Sequence, residues 1–185
     1  MRIIGGRFRG KKLEYISDAT TRPTKDSVRE GVFNILGKSV LDANVLDLFA
    51  GSGAYGIEAL SRGAAHVTFN DTDINAVNVI KKNVSSVNAQ NFQILNHDYL
   101  VTLNKLKGQK FDIVFLDPPY NAIDSVGLIN LLDSHELLTD KSIIVLESAS
   151  DKVDVDLSQN FDIKTKHYGK TIIDIIKKIP TDNNV

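Results

Sequence analysis

Cysteine is absent from this chain of 185 residues. Its absence excludes disulfide bonds, zinc sites built on thiolates and cysteine nucleophiles. Long apolar runs are also absent, because no stretch approaches the ~20 residues that a transmembrane helix needs. The first residues, Met1 to Arg7, lack the apolar region of a signal peptide. We therefore expect a cytoplasmic protein without a membrane anchor.

The net charge of −1 conceals an uneven distribution of charge. Residues 1–25 hold seven basic and two acidic side chains, a balance of +5, which leaves −6 for residues 26–185. A basic segment on an acidic body favours a polyanionic partner such as nucleic acid. The alternative is a hairpin whose lysines and arginines only face water. The candidate phosphate contacts are Arg2, Arg7, Arg9, Lys11, Lys12 and Arg22.

The basic segment opens with a predicted hairpin over residues 2–15, because the glycine pair at 5–6 is a turn signal. Phe8 lies between two arginines and could stack on a base or pin the hairpin to the body; the sequence does not distinguish these roles. A helix follows the triplet Arg22-Pro-Thr. Arg22 and Arg29 need not belong to the apolar pattern of that helix, so both could face a ligand.

From Asn44 onward, short apolar runs of strand length alternate with helical patterns. This alternation predicts a doubly wound, mostly parallel Rossmann-like sheet. The tail differs, because its runs at 161–168 and 171–178 predict an antiparallel hairpin. We expect a single domain over residues 1–185, with 1–25 as an extension of it. The predicted parallel strands are 45–49, 66–70, 92–95, 111–116 and 142–147.

A glycine-rich loop, Gly51-x-Gly53-x-x-Gly56, lies between the first of these strands and the helix after it. Glycines there let the backbone approach a ligand closely, and the helix N-terminus offers free N–H groups. Asp71 lies 20 residues after Gly51, at the end of the next strand. Such a carboxylate could accept both hydroxyl hydrogens of a ribose. These features fit NAD and S-adenosylmethionine equally.

Three further details favour S-adenosylmethionine. Asp47, inside the first strand, could bind the cationic amino end of a methionine group. Asp98, at the end of the third strand, could accept from an adenine amine, or cap the next helix, or do both. The glycine loop also resembles the form found in methyltransferases. Its candidate cofactor-binding residues are Phe49, Ala50, Gly51, Ser52 and Gly53.

The sequence Asp117-Pro118-Pro119-Tyr120 follows the apolar strand at 111–116. Two prolines cannot continue a strand, so the strand ends here in a stiff turn. In an open α/β sheet, this carboxyl end is where ligands bind. Asp117 and the carbonyl of Pro118 could accept hydrogens from a planar amino group while Tyr120 stacks on the attached ring. The alternative is an Asx-type turn with a packing tyrosine.

With these motifs, the chain resembles the bacterial RsmD-type methyltransferases, which methylate the exocyclic N2 of a guanine in 16S ribosomal RNA. The resemblance implies a class I methyltransferase sheet of seven strands, whose final hairpin inserts an antiparallel strand. It also implies S-adenosylmethionine as methyl donor and no metal. The N-terminal opening combined with Arg-Pro-Thr is its most specific part. The matching segments are 1–6, 22–24, 28–34, 45–53, 58–64, 111–120 and 168–171.

The same resemblance implies roles for particular residues. Asp71 corresponds to the ribose-binding acid, which is more usually a glutamate, so its shorter side chain could make a looser or water-bridged contact. Asp98 corresponds to the adenine-binding acid, and residues 117–120 correspond to the target-amine site. The implied partner is the small ribosomal subunit, partly or fully assembled, rather than free RNA. We expect the protein to be a monomer.

Other functions remain open at this stage. A DNA adenine-N6 or cytosine-N4 methyltransferase shares the Asp-Pro-Pro-Tyr motif, but usually carries a separate target-recognition domain. A protein-glutamine methyltransferase more typically has asparagine in place of Asp117. A nicotinamide oxidoreductase would explain the glycines but not the motif. Another RNA amino-methyltransferase, or a non-catalytic RNA-binding module of the same fold, shares most of these features.

Overall fold

The computed structural model describes residues 1–15, 26–119, 123–149 and 160–179. Arg22 and Tyr120, two of the predicted site residues, therefore lie outside the described residues. The helices are α1 (Asp26–Leu36), α2 (Ala54–Ser61), α3 (Ile74–Ser86), α4 (Tyr99–Leu106) and α5 (Ser125–Ser134). The strands are β1 (Asn44–Asp47), β2 (His66–Asn70), β3 (Phe92–Leu95), β4 (Phe111–Leu116), β5 (Leu138–Ala149), β6 (Phe161–Tyr168) and β7 (Thr171–Lys178).

The seven strands form one sheet in the order β3-β2-β1-β4-β5-β7-β6. Strands β1 to β5 pair in parallel, whereas β7 lies antiparallel between β5 and β6. The predicted doubly wound fold with its C-terminal antiparallel hairpin is therefore confirmed. The strand order reverses between β1 and β4, and in such sheets the crevice at this reversal binds ligands.

Apolar side chains cover both faces of the sheet. In β4, Ile113 and Phe115 belong to the cluster that includes α1, α2 and α3, while Val114 and Leu116 belong to the cluster that includes α4 and α5. Strands buried on both faces read as continuous apolar runs. This burial explains why the strand before Asp117 shows no polar alternation in the sequence.

Two strands differ in length from their predicted bounds. Strand β1 ends at Asp47, so Leu48 and Phe49 belong to the turn that follows it. Strand β5 starts four residues before the predicted Ser142 and shifts its register against β4. The Ser142 hydroxyl accepts the Thr139 N–H at 2.7 Å and donates to the Phe111 carbonyl at 2.6 Å. The Ser142 side chain thus supplies hydrogen bonds at the point where the register between β4 and β5 shifts.

Candidate functional site

A cavity of about 510 Å³ opens at the carboxyl ends of β1 to β4. Most of the predicted site residues line it: Asp47, Phe49, Ala50, Gly51, Ser52, Asp71, Asp98, Asp117 and Pro119. Gly53 and Pro118 do not line it, although each adjoins a residue that does. Four strand ends therefore contribute residues to one cavity.

The three glycines of the loop serve different physical purposes. Gly51 has a φ of +53° and open space where a side chain would stand, so the backbone is accessible there. Gly53 also has a positive φ, +77°, and immediately precedes α2. A Cβ at Gly56 would lie 2.2 Å from the ring of Phe69, so this glycine lets α2 pack closely on β2. The loop is both accessible from the cavity and fixed to the sheet.

Asp47 is a buried acid at the end of β1, with 3% of its surface exposed. Its Oδ2 accepts the Gly56 N–H at 2.9 Å. Burial raises the pKa of Asp47 to about 7, and the charge of Asp71 adds to the rise, whereas the Gly56 N–H opposes it. A cation in the cavity would stabilise the ionised form of Asp47 and so offset the effect of burial on its pKa.

Asp71 connects the glycine loop to the end of β2. Its Oδ2 accepts the Gly51 N–H at 2.8 Å, and its Oδ1 accepts the Asp73 N–H at 2.9 Å. Burial raises the pKa of Asp71, although these N–H donors oppose the rise. Each carboxylate oxygen can accept more than one hydrogen, so the two bonds leave capacity for hydroxyl groups of a ligand.

Asp98 caps α4, because its Oδ1 accepts the Leu100 N–H at 2.8 Å. The capping role considered from the sequence is therefore present. Asp98 also lines the cavity beside Tyr99, whose ring lies 5.7 Å from that of Phe49. Capping uses one acceptor site, so it is compatible with a ligand contact.

A buried asparagine that the sequence analysis did not single out fastens the cavity walls together. The amide nitrogen of Asn70 donates to the carbonyls of Leu48 and His97, both at 3.1 Å. Its Oδ1 accepts the Thr102 hydroxyl at 2.7 Å. Asn70 thus joins the ends of β1 and β2 to the segment that follows β3. In the sequence, this role of Asn70 is indicated only by the position of a polar residue at the end of an apolar strand.

The far end of the cavity holds Asp117 beside a buried tyrosine. Tyr55 stacks on Phe115, with ring centroids 4.7 Å apart and planes 16° apart, and its hydroxyl donates to Glu147 Oε2 at 3.0 Å. Burial raises the pKa of Asp117 well above its ordinary value, and the charges of Glu147 and Asp47 add to the rise. This end is an acidic pocket with an aromatic wall. Neither Tyr55 nor Glu147 was predicted.

The basic N-terminal segment folds back on itself, with an antiparallel bridge between Arg2 and Lys12. Backbone N–H groups of Ile4 and Gly5 donate to the two oxygens of Glu58, at 2.8 and 2.7 Å. Glu58 is 1% exposed and also accepts from Arg62 Nε at 2.8 Å. A fully paired buried carboxylate therefore fixes the turn of the N-terminal segment to α2.

Close packing explains the glycine pair of this turn. Gly6 has a φ of +74°, and a Cβ there would lie 1.9 Å from the carbonyl oxygen of Ser61. Phe8 is half-buried and packs against the core cluster, with the Arg7 guanidinium 4.5 Å from its ring. Of the two roles considered for Phe8, the structure shows the pinning one. The basic side chains whose exposure is described face solvent: Arg2, Arg7, Arg9, Lys11 and Lys12.

The expectation that Arg29 could face a ligand is wrong. Arg29 is fully buried, donates to the carbonyl of Arg2 and pairs with Asp26 at 3.0 Å. Burial lowers its pKa, although the charges of Asp26 and Glu58 oppose the change. The N-terminal segment packs over Arg29. The spacing of apolar residues in α1 cannot reveal this contact, because it involves a distant part of the sequence.

In the part of the chain that the structure describes, none of the helices has both the length and the apolar character needed to cross a membrane. The histidine, aspartate and glutamate side chains of this described part form no group of three or more that could hold a metal ion.

The chain is similar to a family and to proteins of known name. The family model described as "Conserved hypothetical protein 95" matches residues 1–177. "Ribosomal RNA small subunit methyltransferase D" of Escherichia coli strain K12 is 42% identical over 148 residues, which cover 80% of this chain and 74% of that protein. The protein of the same name from Haemophilus influenzae is 38% identical over 155 residues, which cover 82% of this chain and 80% of that protein.

A solved structure also matches over almost the whole length. The yhhF protein of Escherichia coli superposes with a TM-score of 0.87 at 36% identity, covering 98% of this chain and 99% of that one. The similarity therefore includes the N-terminal segment and the C-terminal hairpin as well as the central sheet.

Proposed function

The chain belongs to the RsmD family of ribosomal RNA small subunit methyltransferases, and on this premise we propose that it methylates the exocyclic N2 amine of a guanine in 16S ribosomal RNA. The observation that carries the proposal is the convergence of Asp47, Asp71, Asp98 and Asp117 on one cavity from four strand ends. The cavity volume of about 510 Å³ lies within the range of roughly 300–1,000 Å³ that is usual for small-molecule sites.

S-adenosylmethionine is the donor in this proposal, and when bound it supplies a methyl group on a positively charged sulfur. Asp47 would bind its ammonium group, Asp71 its ribose hydroxyls and Asp98 its adenine amine. The backbone at Gly51 leaves room for close approach. Asp47 is suited to bind the ammonium group, because burial disfavours its ionised form and a nearby positive charge would stabilise that form.

The target amine would lie beside Asp117. A guanine amino group is a poor nucleophile, because its lone pair is delocalised into the ring. Asp117 and the Pro118 carbonyl would accept its two hydrogens, orient the nitrogen and stabilise positive charge as it develops. Tyr120 would stack on the base and hold it in line with the donor methyl. The base must leave its stack to reach this pocket, as in other base-modifying enzymes.

No strong base is needed before transfer, because the N–H proton becomes acidic once the nitrogen is alkylated. Asp117 is placed to receive that proton, since burial and the neighbouring acids raise its pKa. The roles given to Asp117 and the Pro118 carbonyl thus use hydrogen-bond acceptance and charge, and that of Tyr120 uses stacking. We further propose that the protein acts in the cytoplasm, as a monomer and without a metal.

We expect the protein to transfer labelled methyl groups from S-adenosylmethionine to small ribosomal subunits from cells that lack its gene. The product should be N2-methylguanosine, identified by mass mapping of the RNA nucleosides. Subunits from cells that carry the gene are the control, because their target is already modified and should accept little label. Label in a different nucleoside, or in DNA only, would contradict the proposed target. Calorimetry that shows binding of NAD but not of S-adenosylmethionine would contradict the proposed donor.

The exposed side chains of the N-terminal segment would bind RNA phosphates. Neutralising Arg7, Arg9, Lys11 and Lys12 together should weaken RNA binding and reduce its salt dependence by a slope of up to about one unit per lost contact. Affinity for S-adenosylmethionine should barely change, because these side chains do not line the cavity. Filter-binding titrations over a range of salt concentrations would measure the slope.

The matched control neutralises four exposed lysines elsewhere on the protein and should leave the slope near that of the parent. These lysines are Lys38, Lys81, Lys107 and Lys141. Equal slopes in the parent and in the N-terminal variant would make that segment a structural element only. Glu58 should be left intact in every variant, because it holds the turn that presents the basic side chains.

A further inference from the structure

Glu147 is a buried acid that the proposed mechanism does not yet use. Strands β4 and β5 are parallel neighbours, and Leu116 is in register with Leu146. Glu147 is the next residue of β5, and Asp117 directly follows the end of β4, so the two acids are neighbours at the carboxyl ends of strands about 4.8 Å apart. Glu147 is 6% exposed.

Glu147 projects to the face of the sheet on which Tyr55 lies. Leu146 belongs to the cluster on the α4 and α5 side, and side chains alternate along a strand, so Glu147 projects to the opposite face, where α1 and α2 lie. Tyr55 of α2 reaches Glu147 from that face, and its hydroxyl lies 3.0 Å from Glu147 Oε2. Asp117 directly follows the end of β4, and its charge also acts on Tyr55.

Tyr55 is itself held firmly in place. Its ring is stacked on Phe115, one strand position before the end of β4, and forms part of the cavity wall. The hydrogen bond from the Tyr55 hydroxyl to Glu147 joins residues 92 positions apart in the sequence. It therefore links α2, the helix after the glycine-rich loop, to the C-terminal part of β5. The carboxylate of Glu147 thus has a defined position relative to Asp117.

We propose that Glu147, held by Tyr55, is a positioning residue of the target-amine site that keeps a second negative charge beside Asp117 and so favours the cationic amine formed during methyl transfer. This inference rests on the proposed function. The nitrogen lone pair forms the new bond to the methyl carbon, and the electron pair of the broken bond leaves with sulfur. Positive charge then resides on nitrogen until one N–H proton passes to Asp117 and on to solvent.

Charged and titratable groups face this pair from several elements. Among the described residues these include Tyr55 of α2 and Asp47 of β1, while the charge of Arg29 of α1 acts on Tyr55. The β7 residue in register with Glu147 is Ile173, which carries no charge. The charge of Glu147 raises the pKa of Asp117. A change at Glu147 must therefore appear in the pH dependence of the reaction.

Glu147→Gln keeps an oxygen that can accept from Tyr55 but removes the charge. We expect kcat to fall about tenfold, on the scale of a lost electrostatic contact, while KM for the ribosomal subunit changes much less. Asp117 must be ionised to accept from the amine, so kcat rises with pH through its pKa. Removing the neighbouring charge lowers that pKa. The acid limb, the part of the pH–rate profile in which kcat rises with pH, should therefore move to lower pH. Tyr55→Phe, which removes a donor from the ionised pair, should move the limb to higher pH.

Asp174→Asn is the matched control. Asp174 is a buried acid in register with Leu146, next along β7 from the residue paired with Glu147, and its Oδ1 accepts from Thr165. Its replacement should leave the acid limb in place. An equal displacement in this control would show a general charge effect and overturn the proposal. An acid limb that stays at the parent position in both Glu147→Gln and Tyr55→Phe would also overturn it.

Thermal melts of the free protein give a readout that needs no methyl transfer. Glu147→Gln should raise the melting temperature more at pH 8 than at pH 6, because it removes repulsion between ionised acids. A parent-like pH dependence of melting would overturn the coupling. If neither the parent nor any variant transferred methyl to the subunit, the proposed function would fail, while the melts would still report on the coupling of Glu147 with Asp117.

Discussion

Replacing Asp117 by asparagine should lower methyl transfer by about 10²-fold or more, the scale expected when one oriented electrostatic contact at a reacting group is lost. Asparagine keeps the size of the side chain but can turn an N–H toward the amine, which removes an acceptor and adds a donor. The protein should stay folded, because the exchange removes a charge that burial and neighbouring acids already disfavour. Binding of S-adenosylmethionine should stay within a few-fold of the parent, since the proposed mechanism places Asp117 against the acceptor amine rather than the donor.

Single-turnover transfer to undermethylated subunits, together with calorimetry of the donor, would separate the two halves of this prediction. Asp112→Asn is the matched control, because Asp112 lies near the start of β4 and accepts the Asn44 N–H rather than lining the cavity. Tyr120→Ala should lose activity through the base stack, worth roughly 1–3 kcal/mol. Near-parent transfer by Asp117→Asn would exclude the carboxylate and leave the Pro118 carbonyl as the main acceptor.

Local sequence signals indicate most of the residues that line the cavity. Asp71, Asp98 and Asp117 each follow a short apolar run, and parallel strands bring their carboxyl ends to one edge of the sheet. Turn residues and strand periodicity depend on neighbours in the sequence, so they can be read directly. The alternation of strands and helices predicted the doubly wound, mostly parallel sheet in the same way.

Contacts between distant residues could not be predicted in the same way. Glu147 meets Tyr55 across 92 residues, and Glu58 accepts from Ile4 across 54. In the sequence, Glu147 only ends a strand and Glu58 only lies on a helix. Their burial depends on which elements pack together, and that packing is decided by the whole fold. Arg29 was misjudged for the same reason.

Asp47 combines two requirements that oppose each other, and Asp47→Asn should separate them. The pKa of about 7 in the folded protein exceeds the ordinary value of 3.8. The folded state therefore binds the proton more tightly than the unfolded state, and stability falls as pH rises from about 4 toward 7. At 1.36 kcal/mol per pKa unit, the penalty above pH 7 is on the order of 4 kcal/mol. Asparagine should remove it while still accepting the Gly56 N–H.

The same exchange should weaken binding of S-adenosylmethionine. A hydrogen bond to a charged group contributes about 1.5–3 kcal/mol, which corresponds to a loss in affinity of roughly 10- to 100-fold. In the parent, affinity should rise with pH up to about 7, because Asp47 must be ionised to receive the ammonium. In Asp47→Asn this rise should disappear, and calorimetry between pH 5.5 and 8 would show it.

Asp47→Asn should therefore be the more stable protein at pH 8 and the weaker binder, and both differences should shrink as the pH falls from 7 toward 4. Asp124→Asn is the control, because Asp124 is an exposed cap of α5 outside the cavity lining, and asparagine caps helices about as well. It should change neither the pH dependence of melting nor that of binding. A variant that melts higher at pH 8 yet binds S-adenosylmethionine as tightly as the parent would show that Asp47 is buried for structural reasons and would place the ammonium elsewhere in the cavity.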